Sequence, residues 1–334
     1  MQGQDSRALL FEDIKCVIHF ITSYAEDHAL ILPGRVPDVW QHGVKLLPSS
    51  STKVVVYKSY LKAFEDTDYR HVSESAFRKL WLQLLPQILT AKPMTGLCWQ
   101  CQHNMMLIYR CSNQPDAEKS ARIREQEEHL RVVQMERCLY KTIVKAAKDT
   151  AANLGLQQLS ANNPCSRSMV MHYSFDYAQQ VHLPSSPMQP GPLYFLVPRK
   201  WGLFGVCCEA ISKQINFLID EAHLVSKGSN AVISFLDFFF TRYGLGETNT
   251  SLHCDNCAGQ NKNRFVLWYC AWRVLTGQHR SISLHFLVAG YIKFAPDWCF
   301  GLLKQAFRRH KVSSLTDLET VVNNSAGVNQ ARSL

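Results

Sequence analysis

Three aspartates stand where they can do chemistry. Asp176 follows the run Met169-Val170-Met171-His172-Tyr173-Ser174-Phe175, Asp255 follows Leu252-His253-Cys254, and Asp297 follows Pro296 at the start of an apolar stretch. Carboxylates gathered from separate segments offer hard oxygen ligands, which suit Mg2+ or Mn2+ and leave room for water and a phosphate. Two such ions about 3.5–4 Å apart activate an attacking oxygen and stabilise a leaving one. Each aspartate alone has a plainer use, because Asp caps helices and favours turns, and Asp297 suits an N-cap. The flank of the second is less ordinary. Asp255-Asn256-Cys257-Ala258-Gly259-Gln260-Asn261-Lys262-Asn263 packs amides and a lysine into one short loop. Asn256, Gln260, Asn261 and Lys262 are side chains that hold a phosphate or a base edge, and Gly259 permits close backbone approach.

A second chemistry lies earlier in the chain. Cys98-x-x-Cys101 has the spacing of half a zinc site. His103, Cys111 and His129 are candidate partners, and His129 is favoured because the helix that carries it can fold back over the pair. The plainer reading is two reduced cysteines in a turn. Cys254 and Cys257 also bracket Asp255, a spacing that belongs to the strand end and its loop and is read as coincidence.

The aspartates need a scaffold that brings distant segments together, and residues 164–312 read as one. Strand-like runs occur at Met169–Phe175, Leu193–Val197, Gly202–Ala210 and Ile215–Ile219, followed by a helix at Ala231–Tyr243. A strand at Thr250–Cys254, a helix at Arg264–Leu275, a strand at Ser281–Val288 and a helix at Trp298–Arg309 complete the series. The order βββ-α-β-α-β-α describes an α/β fold, a mixed sheet with flanking helices. It is the order of the RNase H fold, in which the first and fourth strands are neighbours. Asp176 and Asp255 then meet at one edge of a cleft that the helix of Asp297 can close. Lys293, Lys304, Arg308 and Arg309, with Lys311, form a one-signed group around that last helix.

Residues 1–92 read as mainly helical. Ser73 or Ser75 can cap a helix in which Phe77, Leu80, Trp81 and Leu84 share a face. With the preceding run Lys53–Leu61 this gives two helices joined by a polar turn, as a helix-turn-helix requires, with Arg78 and Lys79 free to face DNA. An ordinary helical hairpin is the alternative. Residues 93–163 hold the cysteine pair and a long polar helix from Pro115 to Asn153, a spacer or one strand of a coiled coil, so a homo-oligomer is compatible. Residues 313–334 are polar and read as a truncated or altered tail. The 334 residues suffice for about two domains. With 46% hydrophobic and 19% charged residues the chain can bury real cores. The net charge of +9 is compatible with a nucleic-acid partner. No signal-peptide pattern and no apolar run of membrane-spanning length is present. Twelve cysteines then imply a reducing compartment, nuclear or cytoplasmic.

The Asp255–Asn263 loop resembles a transposon-derived, uncharacterised domain family typified by Asp-Asn-Cys-x-Gly-Gln-Asn-Lys-Asn. Phe175–Gln180, Gly202–Val206, Phe294–Gly301, Leu32–Arg35 and Pro93–Cys101 also look like it. The resemblance implies a DDE-type transposase ancestry: divalent-metal-dependent strand cleavage and transfer by Asp176, Asp255 and Asp297. Two departures count against activity. The family pattern Gly-His-Thr-Lys stands here as Gly290-Tyr291-Ile292-Lys293, where neither tyrosine nor isoleucine replaces the histidine at neutral pH, and family members continue beyond this C-terminus. The alternative is therefore a transposase-derived DNA-binding protein without catalysis. A 3′–5′ exonuclease is disfavoured because Ala178 occupies the place of its second carboxylate, and Glu221 is a poor match for the fourth carboxylate of RNase H proper.

Overall fold

A computed structural model describes residues 9–29, 44–67, 69–91, 98–111, 114–188, 191–223, 226–288 and 294–333. Lys293, with the whole Gly290–Lys293 departure, lies outside the described residues, as do residues 32–35 and 93–97. The chain divides into two compact units, Met1–Leu130 and Arg131–Leu334. Among the described residues no helix is long and apolar enough to cross a membrane.

The first unit contains α1 (Phe11–His28), β1 (Lys45–Leu47), α2 (Lys53–Ala63), α3 (Glu74–Leu84), β2 (Ile88–Thr90) and α4 (Trp99–Arg110). β1 and β2 pair in parallel. Ser73 caps α3 by accepting from the Ala76 N–H. Phe77 and Trp81 are buried with Val17, Ile21, Val56 and Tyr60, but Leu84 points outward and Leu85 takes its place. The expected helix-turn-helix is not what joins α2 to α3. Residues 64–73 separate them, where that motif uses a turn of about 3–4 residues. The connector is longer because it supplies part of the core: Val72 is buried, and its carbonyl accepts from Tyr57 Oη at 2.9 Å.

α5 (Asp116–Asn153) runs through the boundary between the units. The division falls inside this helix, not at residues 92 or 163, because each half is committed to its own unit. Val133, Val144, Ala147 and Ala151 are buried in the part beyond Leu130, and Ala151 belongs to the main core of the second unit.

That second unit is built on a mixed six-stranded sheet. It comprises β3 (Arg167–Leu183), α6 (Gly191–Tyr194), β4 (Arg199–Cys208), β5 (Lys213–Asp220), α7 (Ser229–Tyr243), β6 (Glu247–Cys254), α8 (Arg264–Leu275), β7 (Ser281–Phe286), α9 (Ala295–Phe307), α10 (Leu315–Ser325) and β8 (Asn329–Ser333). The strand order is β7-β6-β3-β4-β5-β8. β3, β4 and β5 pair antiparallel in succession, whereas β3 with β6, β6 with β7 and β5 with β8 are parallel. β3 and β6 are thus neighbours. Period-two alternation sorts the sheet into two unlike faces. Met171, Tyr173 and Phe175 pack with Phe204, Val206, Phe217, Leu236, Phe239 and Leu252 in an aromatic-rich core. On the opposite face a second core gathers Ala178, Val181, Leu203 and Leu218 beneath Phe300, Leu303, Leu318 and Val322.

Three expectations need correction. Leu193–Val197 is not a strand: residues 191–194 form a helical turn, and Phe195, Leu196 and Val197 are exposed. Pro192 and Pro198 flank the run, and the position beside β3 is already filled by β4. β3 does not stop at Phe175 but continues to Leu183, with a register shift between Ala178 and Val181, so Asp176 lies within the strand. Finally, residues 313–334 are no loose tail. Leu318, Val321 and Val322 bury one face of α10, and β8 adds an edge strand to β5. Seven polar residues in the eleven of α10 hide a buried helical spacing of 3 and 4, Leu318 to Val321 and Val322, that is only one turn long.

One buried network ties α7, α8 and β6 together. Arg273, only 2% exposed, donates from Nη1 to Asp237 Oδ1 at 2.9 Å and to Tyr269 Oη at 3.1 Å. Its guanidinium carbon lies 4.5 Å from the centroid of the Phe240 ring. Asp237 is partly exposed and can regain water when the pair is broken. The expected cost of Arg273→Met is therefore about 2–4 kcal/mol, somewhat under the ~3–5 of a fully buried pair. Urea unfolding with an unchanged slope checks it, and a loss below about 1 kcal/mol would show the network to be dispensable.

Candidate active site and candidate metal centre

Alternation places His172, Ser174 and Asp176 on one face of β3, and Ser251, His253 and Asp255 in the same row along β6 and its end. Registers align the rows, with His172 opposite Ser251 and Ser174 opposite His253. Asp176 lies opposite Gly205 on β4. A Cβ at that glycine would come within 2.7 Å of Phe300 Cζ, so the missing side chain is what lets α9, the helix of Asp297, lie close to the sheet. Asp297 sits in the first turn of α9 and accepts from the Phe294 N–H at 3.3 Å, reaching back to the residue that precedes the helix.

The three aspartates feel one another. Burial first, then the charges of Asp255 and Asp297, push the Asp176 carboxyl up to about 7. The Tyr177 N–H donates to Asp176 Oδ1 at 2.8 Å, and the Cys257 N–H and Asn261 Nδ2 both donate to Asp255 Oδ1. Oδ2 of Asp176 and of Asp255 takes no hydrogen bond among the described residues. The three carboxylates are not drawn within 4.8 Å of one another as a single ligand cluster.

The loop after β6 holds itself together. The Cys257 carbonyl accepts from the N–H groups of Gln260, Asn261 and Lys262. Asn263 caps α8, accepting from Phe265 and Val266 N–H groups. Asn261 is buried against Asp255 and is therefore a positioning side chain, not a surface contact for nucleic acid. A Cβ at Gly259 would meet nothing within 4 Å, so close packing is not what that position requires. Asn256 and Lys262 are exposed, Gln260 is half-buried, and the Lys262 ammonium lies 5.5 Å from the Phe286 ring centroid. At the end of α9 Lys304 is half-buried and Arg308 and Arg309 are exposed. In the first unit Lys79 is exposed, while Arg78 pairs with Glu74 one turn away.

Behind the aspartates runs a polar layer that sequence reading missed. His172 Nε2 and His253 Nδ1 are 2.9 Å apart, and the His253 and His285 rings stack at 4.5 Å. Glu209 accepts from Tyr140 Oη and from Ser174 Oγ, and lies 3.8 Å from His172 Nδ1. Tyr140 Oη in turn accepts from the Ala295 N–H at 3.3 Å, two residues before Asp297. Tyr140, Lys148, Glu209, Asp297 and Trp298 line an open cleft of about 760 Å3. The signal was present in the sequence as His-x-Ser-x-Asp and Ser-x-His-x-Asp, two period-two rows ending on the aspartates.

Burial, with neighbouring histidines, pushes both His172 and His253 down to about 3. An unfolded histidine titrates near 6.5, so between these values the unfolded chain holds more protons. Stability contributed by the two neutral rings is complete above about pH 6.5 and is lost as pH falls toward 3, by up to ~1.4 kcal/mol per pH unit for each ring. Asp176 and Glu209, both raised, act in the opposite sense. The check is therefore a comparison of urea midpoints from pH 7 to 4. His172→Gln/His253→Gln should lose less stability with acid than the wild type, and equal slopes would refute the assignment.

Cys98, Cys101 and His129 do come together. One ligand atom from each lies within 4.8 Å of the others, and Cys98 Sγ is 3.3 Å from His129 Nε2. Tetrahedral zinc, with bonds of about 2.3 Å to sulfur and 2.0–2.1 Å to nitrogen, needs edges of about 3.5 Å, so this Cys2His group is compatible with it. Cys98 immediately precedes α4, and its sulfur accepts from the Cys101 N–H at 3.5 Å; Gln126 Nε2 donates to Cys101 Sγ at 3.4 Å. Gln126 is itself held by Asn104 Nδ2, which donates to its Oε1 at 2.9 Å. His103 instead stacks on Trp99, and Cys111 stands outside the group. No fourth Cys, His, Asp or Glu joins the three among the described residues, and an open cleft of about 730 Å3 adjoins His129.

No curated protein and no solved structure matches the chain. Residues 200–333 match a domain of unknown function (DUF7869), a span that contains Asp255 and Asp297 but neither Asp176 nor the Cys2His group.

Proposed function

We propose that the second unit is an RNase H-like core that cleaves and joins DNA strands in the manner of DDE-type transposases, with Asp176, Asp255 and Asp297 as the metal-holding carboxylates. One observation carries the reading. Asp176 lies on β3 and Asp255 just past the end of β6, its parallel neighbour, and Asp297 arrives on the helix that follows β7. Mg2+ or Mn2+ fits the donor set, since the charges of Asp255 and Asp297 act on the half-buried Asp176 carboxyl and a cation held there would offset them. Such ions, when bound, would activate an attacking oxygen and stabilise the leaving one. The chain's own part is positional. Asn261 and the Cys257 N–H fix Asp255 by one oxygen, the Tyr177 N–H fixes Asp176 likewise, and the second oxygen of each remains for the metal. Tyr140 holds the start of α9, and with it Asp297, against Glu209. The exposed cations Lys262, Arg308 and Arg309 would neutralise phosphates of a bound strand.

A second reading has its own observation: the carboxylates are not gathered as one ligand cluster. Ligands of two ions need not all lie within 4.8 Å, but a binding protein that keeps the shape and has lost the chemistry would look similar. The deciding experiment incubates the protein with labelled duplex and branched DNA in Mg2+ or Mn2+, beside Asp176→Ala/Asp255→Ala. Metal-dependent nicking absent from the variant supports the nuclease. Salt-sensitive DNA binding without nicking supports the second reading.

A further inference from the structure

α8 carries an outward face that a solvated helix would not have. Arg264, Phe265, Leu267, Trp268, Trp272 and Leu275 are all exposed, Trp268 at 57% and Leu275 at 86%. Their spacing of 3, 4 and 7 makes one continuous stripe along the helix. Inward, the same helix is complete: Val266, Tyr269, Cys270 and Arg273 are buried. The stripe is therefore not a misplaced core face but a second apolar surface. Two tryptophans, a phenylalanine and two leucines at these exposures present on the order of 500 Å2, more than scattered surface residues explain.

We infer that this face is a self-association surface, on which the α8 helices of two copies of the chain pack antiparallel about a two-fold axis. Charge selects the partner and its direction. The stripe holds a single charge, Arg264, at the N-terminal end of α8, where the helix dipole disfavours a cation. Its guanidinium now rests over the Phe265 and Trp268 rings, at 5.0 and 5.5 Å from their centroids. A parallel pair would set Arg264 against Arg264. An antiparallel pair sets each guanidinium beside the partial negative charge at the other helix's C-terminus, whose last turn, residues 272–275, presents no outward cation, Arg273 being turned inward. The stripe is thus complementary to itself in one orientation only, as an isologous interface requires. Area agrees, because the stripe supplies the larger part of the ~800 Å2 per partner that a standard interface buries. Nucleic acid is a poorer occupant, because one cation on an apolar face neutralises almost no phosphate. This inference is independent of the proposed nuclease chemistry.

The test is the mass of the full chain in solution, by sedimentation equilibrium from about 1 to about 100 µM, a range that brackets micromolar affinity. The wild type is expected to dimerise within this range, and Trp268→Glu/Trp272→Glu to remain monomeric with an unchanged circular dichroism spectrum. Arg264→Glu is the sharper variant, because it suits its own helix N-terminus yet faces the partner's negative end. It should fold at least as stably as the wild type and dimerise about tenfold more weakly or worse. A wild type of single-chain mass at every concentration overturns the inference. So does a dimer that survives both substitutions, or tryptophan fluorescence quenched by an oligothymidylate in a protein that stays monomeric.

Discussion

Asp176→Asn is expected to abolish metal-dependent DNA cleavage, by about 10^3-fold or more, while making the protein more stable. The two effects have one cause. A carboxylate that is mostly buried, beside two others, is costly to ionise, which is why Asp176 titrates near 7. At pH 8 without metal the wild type carries that cost of roughly 1.4 kcal/mol per unit of displacement, and an uncharged amide of the same shape does not. The gain should be a few kcal/mol in urea unfolding at pH 8, shrinking below pH 7 as the wild-type carboxyl takes up its proton. Added Mg2+ or Mn2+ should stabilise the wild type and not the variant. Asp255→Asn should likewise lose cleavage and keep salt-sensitive DNA binding, since the Asn261 and Cys257 contacts to Oδ1 survive the change in part. A structural aspartate behaves otherwise: its replacement lowers stability and removes binding and cleavage together, and that result would end the catalytic reading.

How far the fold was legible depended on whether a segment carried its own period. α7, β6, α8 and β7 fall within a few residues of their expected bounds because each is bounded by Gly, Asn or Ser and holds one pattern throughout. Leu193–Val197 misled because five apolar residues read as a buried strand whatever their surroundings, and only the pairing partners of β3 decide against it. The end of β3 was misplaced for a related reason. Beyond Asp176 the strand passes from the aromatic core to the second core, and a register shift breaks the alternation that would have announced it. In α10 the apolar face is one turn long, and its worth appears only when α9 and β8 lie against it.

The candidate site was legible at its ends and not between them. Each aspartate follows or opens a recognisable element, so its place could be read locally. The polar layer of His172, His253, His285, Glu209 and Tyr140 draws on three strands, the β4–β5 turn and the long helix, and no local pattern links Tyr140 to Glu209. What could be read was the row itself. A strand whose inward positions are His, Ser and Asp is not paying for burial with apolar surface, so its polar groups must satisfy one another or a ligand. Asn261 was misjudged in the same way: its residue type suits a base edge, but its spacing from Asp255 closes a turn.

The Cys2His group makes the strongest demand on the first unit. Purified chain is expected to hold about one zinc per molecule, with Co2+ substitution giving the absorption of two thiolates and one imidazole, and with nanomolar or tighter affinity. Its contribution to folding follows from what it joins. Cys98 precedes α4 and Cys101 lies in its first turn, while His129 belongs to α5, so a bound metal would add a fastening between the two helices beside the Gln126 contacts to Asn104 and Cys101. Chelation should therefore release α4 and the first half of α5, seen as faster amide exchange in residues 98–130, and leave exchange in the six-stranded sheet unchanged. Saturating zinc at about 10^3 times its dissociation constant would restore ~4 kcal/mol to that region. Cys98→Ser and His129→Ala should each lose the metal, whereas Cys111→Ser and Cys257→Ser keep it, which separates a built site from adventitious thiol binding. If the purified chain holds no stoichiometric metal and a chelator leaves exchange in residues 98–130 unaltered, the two cysteines are reduced thiols at the start of a helix, and the zinc reading of the group fails.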